Sequence, residues 1–261
     1  MMNPPFYSSE DEMLSSAQRK ERPPHSACTG APVEMVCEGG EVAYIGRMLE
    51  ESLVLRDRVQ WYTAMVGKAS SIDTLVTQLR SNNIDNFAVT EFVQGNKTRR
   101  WALGWSFGPM RPSEGIARGI KATPWRHALP LPLRVVLLTL PPGREVSPLV
   151  NHITEVAGSL ELISWNWEAG TAKGVGRASE NVWSRAWRRK KLREAQQEQP
   201  AAEEKETAKP EECRIGFAIR VEVGKEETVA SVHWIEGHDQ GIFESLCGFL
   251  QGKLQGIKNS K

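Results

Sequence analysis

The chain has 261 residues, enough for one large or two small domains, and 40% hydrophobic with 25% charged residues is a composition typical of soluble proteins. The 33 Lys and Arg against 32 Asp and Glu leave a formal net charge of +1, which excludes a general electrostatic attraction to nucleic acid. The four Cys and five His lack metal-binding spacing, and no run of about 18 apolar residues could cross a membrane, so we expect neither a metal site nor a membrane segment.

The N-terminal third begins with a polar stretch and continues with alternating helical and strand patterns. Residues 8–33 are rich in Ser, Glu, Pro and Arg without apolar periodicity, and they predict a mobile loop. Apolar residues at helical spacing predict a helix over 41–58, and the apolar run 59–66 predicts a buried strand. Ser70 and Ser71 offer an N-cap for a second amphipathic helix that ends near Leu79.

Two further strands follow, at 86–93 and 99–107, on either side of the turn-forming residues 94–97. Helices that alternate with strands and end in an antiparallel hairpin predict an α/β fold, specifically the C-terminal half of a class I (Rossmann-like) methyltransferase domain over residues 1–108. A complete sheet of that kind has about seven strands, and the pattern here shows only three. The first strand would then expose an unpaired apolar edge.

The second half of the chain predicts a smaller α+β domain. Repeated prolines over 109–131 indicate a linker, and residues 132–261 form the predicted accessory domain. Its pattern is strand, helix, strand, a Gly-rich turn around Gly174 and Gly176, a basic segment, two strands and a closing helix. Residues 194–212 consist almost entirely of Glu, Gln, Ala, Lys and Pro, and we expect a disordered insert there.

The motif that carries chemistry is Asn3-Pro4-Pro5-Phe6. An exocyclic adenine amine is a weak nucleophile, because its lone pair is delocalised into the ring. Its methylation requires acceptors that hold both amine protons and orient the lone pair, and the Asn3 side chain and the Pro4 carbonyl can supply two. Consecutive prolines stiffen the loop, and Phe6, assisted by Tyr7, offers a face for a flipped base. For four residues alone, a turn beside a core Phe explains the pattern equally well.

Four blocks in order strengthen the catalytic interpretation. They are Met-Asn-Pro-Pro-Phe-Tyr at 2–7, Cys-Glu-Gly-Gly-Glu at 37–41, Gln-Trp-Tyr-Thr-Ala-Met-Val-Gly-Lys at 60–68, and Thr-Glu-Phe-Val-Gln-Gly at 90–95 followed by Arg-Trp-Ala-Leu-Gly-Trp-Ser-Phe at 100–107. With these blocks, residues 1–108 resemble the U6 small nuclear RNA adenine-N6 methyltransferases (the methyltransferase-like sixteen group) and their bacterial ribosomal RNA relatives of the RlmF type.

The resemblance implies that Asn3, Pro4, Pro5 and Phe6 hold the target adenine and that Asn3 also lies near the cofactor, S-adenosyl-L-methionine. In such enzymes a glycine-rich loop and an acidic residue upstream of this motif bind the cofactor. Only two residues precede Asn3 here, so we expect that the N-terminal cofactor-binding half is missing and that this chain alone is inactive. Gly174-x-Gly176 and the 38–41 block are more typical of a turn and of a helix start than of a substitute phosphate cradle.

A basic segment in the second domain combines cations with two indoles, Trp183 and Trp187. Because cations neutralise phosphates and indoles stack on unpaired bases, we expect RNA contacts there. A nuclear localisation signal and a solvated helix face remain open as alternatives. The cations assigned to RNA binding, beside Tyr7 of the first domain, are Arg185, Arg188, Arg189, Lys190 and Lys191.

The sequence as a whole predicts an S-adenosylmethionine-dependent adenine-N6 methyltransferase acting on structured RNA such as U6 small nuclear RNA. The expected location is the nucleus, the cytoplasm or both, with no membrane and no metal involved. The alternative is a non-catalytic RNA-binding protein derived from such an enzyme.

Overall fold

A computed structural model describes residues 1–5, 7–18, 32–94, 98–120, 127–197 and 212–259. The chain divides into two units, Met1–Pro132 and Leu133–Lys261. Both units combine helices with a sheet, which confirms the predicted α/β class at that coarse level. None of the helices in the described ranges has the length and apolar character needed to cross a membrane.

The first unit contains a mixed four-stranded sheet with the order β1-β3-β2-β4. Strands β1 and β2 both run antiparallel to β3, whereas β2 and β4 are parallel. The elements of this unit are α1 (Glu10–Gln18), α2 (Pro32–Met35), α3 (Gly40–Leu55), a 3-10 turn (Arg56–Arg58), β1 (Tyr62–Val66), α4 (Ala69–Ser81), β2 (Phe87–Gln94), β3 (Thr98–Trp105), α5 (Glu114–Ala117) and β4 (Arg118–Gly119).

The core of the first unit lies between one face of this sheet and the helices α3 and α4. The helical period predicted for both helices is confirmed, since their buried positions recur every three or four residues, singly in α3 after its first turn and in adjacent pairs in much of α4. Trp105 and Tyr62 stack in this core with ring centroids 5.7 Å apart. The largest fully buried side chains here are Ile45, Ile72, Leu75, Leu79, Leu103 and Trp105.

Two local predictions for the first unit need correction, and a third is confirmed in part. Helix α1 occupies part of the predicted loop 8–33. Its start resembles a capping box, because the Ser9 hydroxyl accepts a hydrogen bond from the Glu12 amide and the Glu12 carboxylate accepts one from the Ser8 amide. The N-cap of α4 is Lys68, so Ser70 and Ser71 lie inside the helix. The antiparallel pairing of β2 with β3 is confirmed, whereas the turn residues 95–97 lie outside the described residues.

Part of the predicted linker packs against the first unit. Strand β4 pairs with β2 in parallel, and the buried Arg111 guanidinium bonds the Asp85 carboxylate at 2.9 Å. A Cβ at Gly119 would lie 2.9 Å from the Thr90 hydroxyl oxygen, so this close approach requires glycine. Residues 109–120 are therefore a structured edge of the unit, and 121–126 lie outside the described residues.

The second unit contains a five-stranded antiparallel sheet with the order β5-β9-β8-β7-β6. Helices α6 and α8 contact this sheet, and Trp234 of β9 stacks on Phe243 of α8 with ring centroids 5.3 Å apart. The elements are β5 (Arg134–Leu140), α6 (Ser147–Gly158), β6 (Ser164–Glu168), a 3-10 turn (Ala169–Thr171), β7 (Lys173–Ala178), α7 (Arg185–Gln197), β8 (Ile215–Val223), β9 (Thr228–Gly237) and α8 (Gln240–Asn259).

The strands and helices of this unit follow the predicted order, with two differences. Gly174 and Gly176 lie within β7 instead of in a turn, and α7 extends the basic segment as a helix to Gln197. The predicted disordered insert therefore begins with four helical residues, 194–197, and its residues 198–211 lie outside the described residues.

A buried hydrogen bond in the first unit gives a stability prediction. The Trp105 indole Nε1 donates to the Ser52 hydroxyl at 3.0 Å, and both side chains are fully buried. Ser52→Ala leaves this N–H without an acceptor, which should lower the free energy of unfolding by about 1–3 kcal/mol. Urea denaturation followed by circular dichroism measures the change. Ser81→Ala, at an exposed helix end, is the control and should shift stability by less than about 0.5 kcal/mol; equal effects would contradict the assigned bond.

Candidate functional site

The Asn3-Pro4-Pro5 loop is anchored by backbone hydrogen bonds at both ends. The Met2 amide donates to the Thr63 carbonyl at 2.8 Å, and the Met65 amide donates to the Met2 carbonyl at 2.9 Å. Met2 thus pairs in parallel with β1 and covers part of the edge that we expected to be unpaired. On the other side, Tyr7 forms a parallel bridge with Val36. The loop is held between two elements of the first unit.

Within this anchored loop, the two prolines are buried and the Asn3 side chain is exposed. Proline fixes φ near −65°, so burial of both rings immobilises the backbone that carries the acceptors. No described residue donates a hydrogen bond to the Asn3 amide oxygen or to the Pro4 carbonyl. Both predicted acceptors are therefore available to a ligand. Phe6, the predicted stacking platform, lies outside the described residues.

A buried carboxylate connects the start of α3 to the end of β1. Gly39 has a φ of +75° and precedes α3, which confirms that the 38–41 block begins a helix. Glu41 is only 2% exposed, and its carboxylate accepts hydrogen bonds from the Gly67 amide at 2.6 Å and the Lys68 amide at 2.9 Å. The sequence analysis missed this role, because the partners lie 26 and 27 residues away along the chain.

Helix α1 joins the same region through one ion pair. The Glu12 carboxylate contacts the Lys68 ammonium, and it also accepts hydrogen bonds from the amide and hydroxyl of Ser8. The bond from Lys68, followed by those from Ser8, lowers the pKa of Glu12 from its ordinary value of 4.5 to about 2. A helix directly after the Asn-Pro-Pro loop is thereby connected to the start of α4.

The predicted RNA-binding cations of the second unit lie together on α7. Trp187 is half-buried at the base of this helix, and the Lys190 and Lys191 ammonium groups each lie 5.1 Å from its ring centroid. Lys190 also approaches Glu180 at 3.7 Å, and Lys191 approaches Glu161 at 3.3 Å. The remaining cations, which are exposed, are Arg185, Arg188 and Arg189. Tyr7 belongs to the other unit and is half-buried.

The glycines of β7 serve packing. A Cβ at Gly174 would lie 2.2 Å from the Trp165 ring, and a Cβ at Gly176 would lie 2.5 Å from the Phe217 ring. Glycine is required because these aromatic rings cross the strand backbone. The site does not fit a phosphate cradle, since aromatic carbon occupies the space in front of both residues.

Comparison with known proteins gives matches over the first unit and over the whole chain. Residues 1–109 match a family described as RNA methyltransferase. The chain is 32% identical over 259 residues to the U6 small nuclear RNA (adenine-(43)-N(6))-methyltransferase of Schizosaccharomyces pombe, covering 99% of this chain and 60% of that protein. It is 30% identical over 292 residues to an RNA N(6)-adenosine-methyltransferase of Danio rerio, covering 97% of this chain and 61% of that protein.

The resemblance predicted from the sequence is confirmed. The chain is similar to these two adenine-N6 RNA methyltransferases over nearly its full length, and it spans about 60% of the length of each. Among solved structures, the hMettl16 catalytic domain in complex with a MAT2A 3'UTR hairpin is 39% identical, with coverage of 43% of this chain and 42% of that chain and a TM-score of 0.38.

The Glu12 ion pair gives a pH prediction for the first unit. Because the pKa of Glu12 is lowered in the folded state, the pair should stabilise the protein above pH 4.5 and lose this contribution as the pH falls toward 2. Glu12→Gln should therefore lower the urea midpoint at pH 7, and this difference from the parent protein should shrink below pH 4.5 and vanish near pH 2. Glu10→Gln, exposed on the same helix turn, is the control. A pH-independent difference for Glu12→Gln would contradict the ion pair.

Proposed function

We propose that this chain is part of an S-adenosylmethionine-dependent RNA adenine-N6 methyltransferase and supplies the loop that holds the target adenine. The observation that carries the proposal is the Asn3-Pro4-Pro5 loop, which is anchored at both ends and presents acceptors that no described residue uses. The names of the relatives, all RNA or U6 RNA adenine methyltransferases, support the same chemistry over the non-catalytic alternative.

The loop acts by positioning the adenine amine. The Asn3 Oδ1 and the Pro4 carbonyl oxygen accept the two N–H bonds of the exocyclic nitrogen, so the amine is held and its lone pair is directed away from the loop. The buried proline rings keep both acceptors in place before the base arrives, which reduces the entropy lost on binding. Phe6 provides the ring on which the extruded base stacks.

The cofactor fits beside this loop through one described residue. Asn3 is exposed and has no hydrogen-bond partner among the described residues. Its side chain is therefore accessible to the cofactor as well as to the adenine. S-adenosyl-L-methionine supplies an electrophilic methyl group when it is bound. Asn3 would then lie close to both the amine that accepts the methyl group and the methionine end of the cofactor.

The fold and domain organisation extend this proposal. Residues 1–108 form the C-terminal half of a class I methyltransferase domain, residues 109–120 add a packed edge to it, and 132–261 form an accessory RNA-binding domain. The parallel pairing of Met2 with β1 supports the first assignment, because the catalytic loop of such a domain follows a parallel strand at that edge. The division of the chain after Pro132 supports a separate second domain.

The substrate is structured RNA, with U6 small nuclear RNA as the expected target and the nucleus or cytoplasm as the place of action. The exposed cations of α7 and Tyr7 of the catalytic half contact the RNA. This assignment is supported by six cations on one helix, four of them Arg, a residue well suited to phosphate.

Asn3 can be tested in a fusion that places this chain behind the part of the Schizosaccharomyces pombe relative that precedes the match, so that a cofactor-binding half is supplied. Asn3→Ala should lower methyl transfer to a U6 RNA hairpin by at least about 100-fold, because an acceptor that orients the amine is lost. The measurement is incorporation of labelled methyl groups under single-turnover conditions. Asn151→Ala, an exposed Asn in the second unit, is the control. Unchanged methylation by Asn3→Ala would refute the proposed role.

The α7 cations can be tested by salt-dependent RNA binding of the same chain. The double variant Arg188→Ala/Arg189→Ala should weaken binding and reduce the slope of log K against log salt concentration by about 1.5, since two phosphate contacts are lost. Arg214→Ala/Lys225→Ala removes two exposed cations elsewhere in the unit and should leave the slope unchanged. If both double variants retain the parent slope, α7 does not contact RNA.

A further inference from the structure

The second unit contains a cavity of about 380 Å³ between α7, α8 and the residues that follow α6. Its apolar wall includes Val182, Trp183, Trp187 and Phe249, and its charged rim includes Arg188 and Lys253. This size lies within the range of small-ligand sites, which start near 300 Å³. The cavity combines flat aromatic walls with positive charge at the opening.

Two side chains that line this cavity carry hydrogen-bond donors without an acceptor among the described residues. The Arg188 guanidinium has no ion-pair or hydrogen-bond partner in the described part of the chain. The Trp187 indole Nε1 is shielded from solvent and likewise has no acceptor there, whereas the Trp183 indole Nε1 donates to Ser245 at 3.1 Å. A buried donor without an acceptor is costly, and such groups are rare in folded proteins. The Arg188 guanidinium at the rim can therefore bind an anionic ligand.

The acidic groups near the cavity do not compete for these donors. Glu161 lines the cavity but pairs with Lys191 at 3.3 Å, and Glu180 pairs with Lys190 at 3.7 Å. These pairs occupy the two lysines, whereas the guanidinium of Arg188 has no acidic partner among the described residues. A ligand that fits must be flat, rich in acceptors and negatively charged.

We propose that this cavity binds a single unpaired nucleotide of the RNA, with its base against the indole wall and its phosphate at Arg188. The inference rests on the proposed function, because it assumes that α7 contacts RNA. Bases carry ring nitrogens and carbonyl oxygens that accept hydrogen bonds, and a phosphate carries the negative charge. A base within a duplex keeps both faces stacked, so only a bulged, looped or single-stranded nucleotide can enter. The second unit would therefore select RNA that contains an unpaired position.

A charge placed at the rim tests the proposal without disturbing the core. Leu192 lines the cavity and is 63% exposed, so Leu192→Glu keeps the helix and adds a carboxylate that repels a phosphate. Val223→Glu makes the same charge change at a site that is 68% exposed and does not line the cavity. The probes are a short single-stranded RNA and a blunt duplex of the same sequence, with binding measured by fluorescence anisotropy.

Leu192→Glu should weaken binding of the single strand about fivefold more than binding of the duplex, whereas Val223→Glu should affect both RNAs equally. In parallel, the indole N–H signal of Trp187, assigned with Trp187→Phe, should shift in a nuclear magnetic resonance titration with the single strand and remain in place with the duplex. Equal weakening of both RNAs by Leu192→Glu, or a stationary Trp187 signal, would overturn the nucleotide site.

These outcomes separate the cavity from the wider RNA proposal. If the chain binds RNA through α7 but Leu192→Glu matches Val223→Glu, only the nucleotide site fails. If neither RNA binds the parent chain at physiological salt, the proposed RNA function of the second unit fails first. Displacement of the Trp187 signal by an acidic peptide, but by neither RNA, would identify a protein ligand and would also overturn the proposal.

Discussion

The parallel pairing of Met2 with β1 determines where the Asn-Pro-Pro loop can lie. Two backbone hydrogen bonds, to Thr63 and from Met65, fix the residue immediately before Asn3 at the edge of a sheet. Strand β1 is itself held by antiparallel pairing to β3 over five residue pairs. The exposed acceptor of Asn3 therefore sits one residue from a rigid sheet, and the buried prolines carry that rigidity into the loop. A loop held only by side-chain contacts would fix the position of the Asn3 acceptor less precisely, because long side chains sample several rotamers.

Around this anchor, two carboxylates connect segments that are distant in sequence. Glu41 binds the backbone amides that follow β1, and Glu12 binds the Lys68 side chain at the same position. The two interactions differ in kind. Glu41 is buried and binds neutral amides, which must be satisfied wherever the backbone leaves a sheet. Glu12 is partly exposed and binds a charged partner, so its contribution is screened by salt and depends on pH.

Sequence periodicity predicted the regular elements well, and local chemistry explains where it did not. Helices α3 and α4 and the β2–β3 pair have strong apolar patterns, so their positions followed directly. Helix α1 has no apolar stripe, and its main signal is the Ser9-to-Glu12 capping pattern. The polar composition of this segment led to the prediction of a loop instead. Gly174 and Gly176 were predicted to form a turn because glycine is common in turns. They lie in a strand because Trp165 and Phe217 pack against the backbone at these positions. Glu41 was identified as a helix-start residue, whereas its buried contacts depend on tertiary structure.

The two tryptophans of the basic segment show how identical side chains acquire different roles within one short stretch. Trp183 is 4% exposed and its indole nitrogen bonds Ser245, so it is a satisfied core residue. Trp187, one helical turn later, has an indole nitrogen without an acceptor and carries two ammonium groups over its ring. Sequence alone could not distinguish them, since both stand beside basic residues. Because Lys190 and Lys191 contact this ring and carboxylates, the phosphate contacts proposed for α7 should depend on its arginines more than on these two lysines.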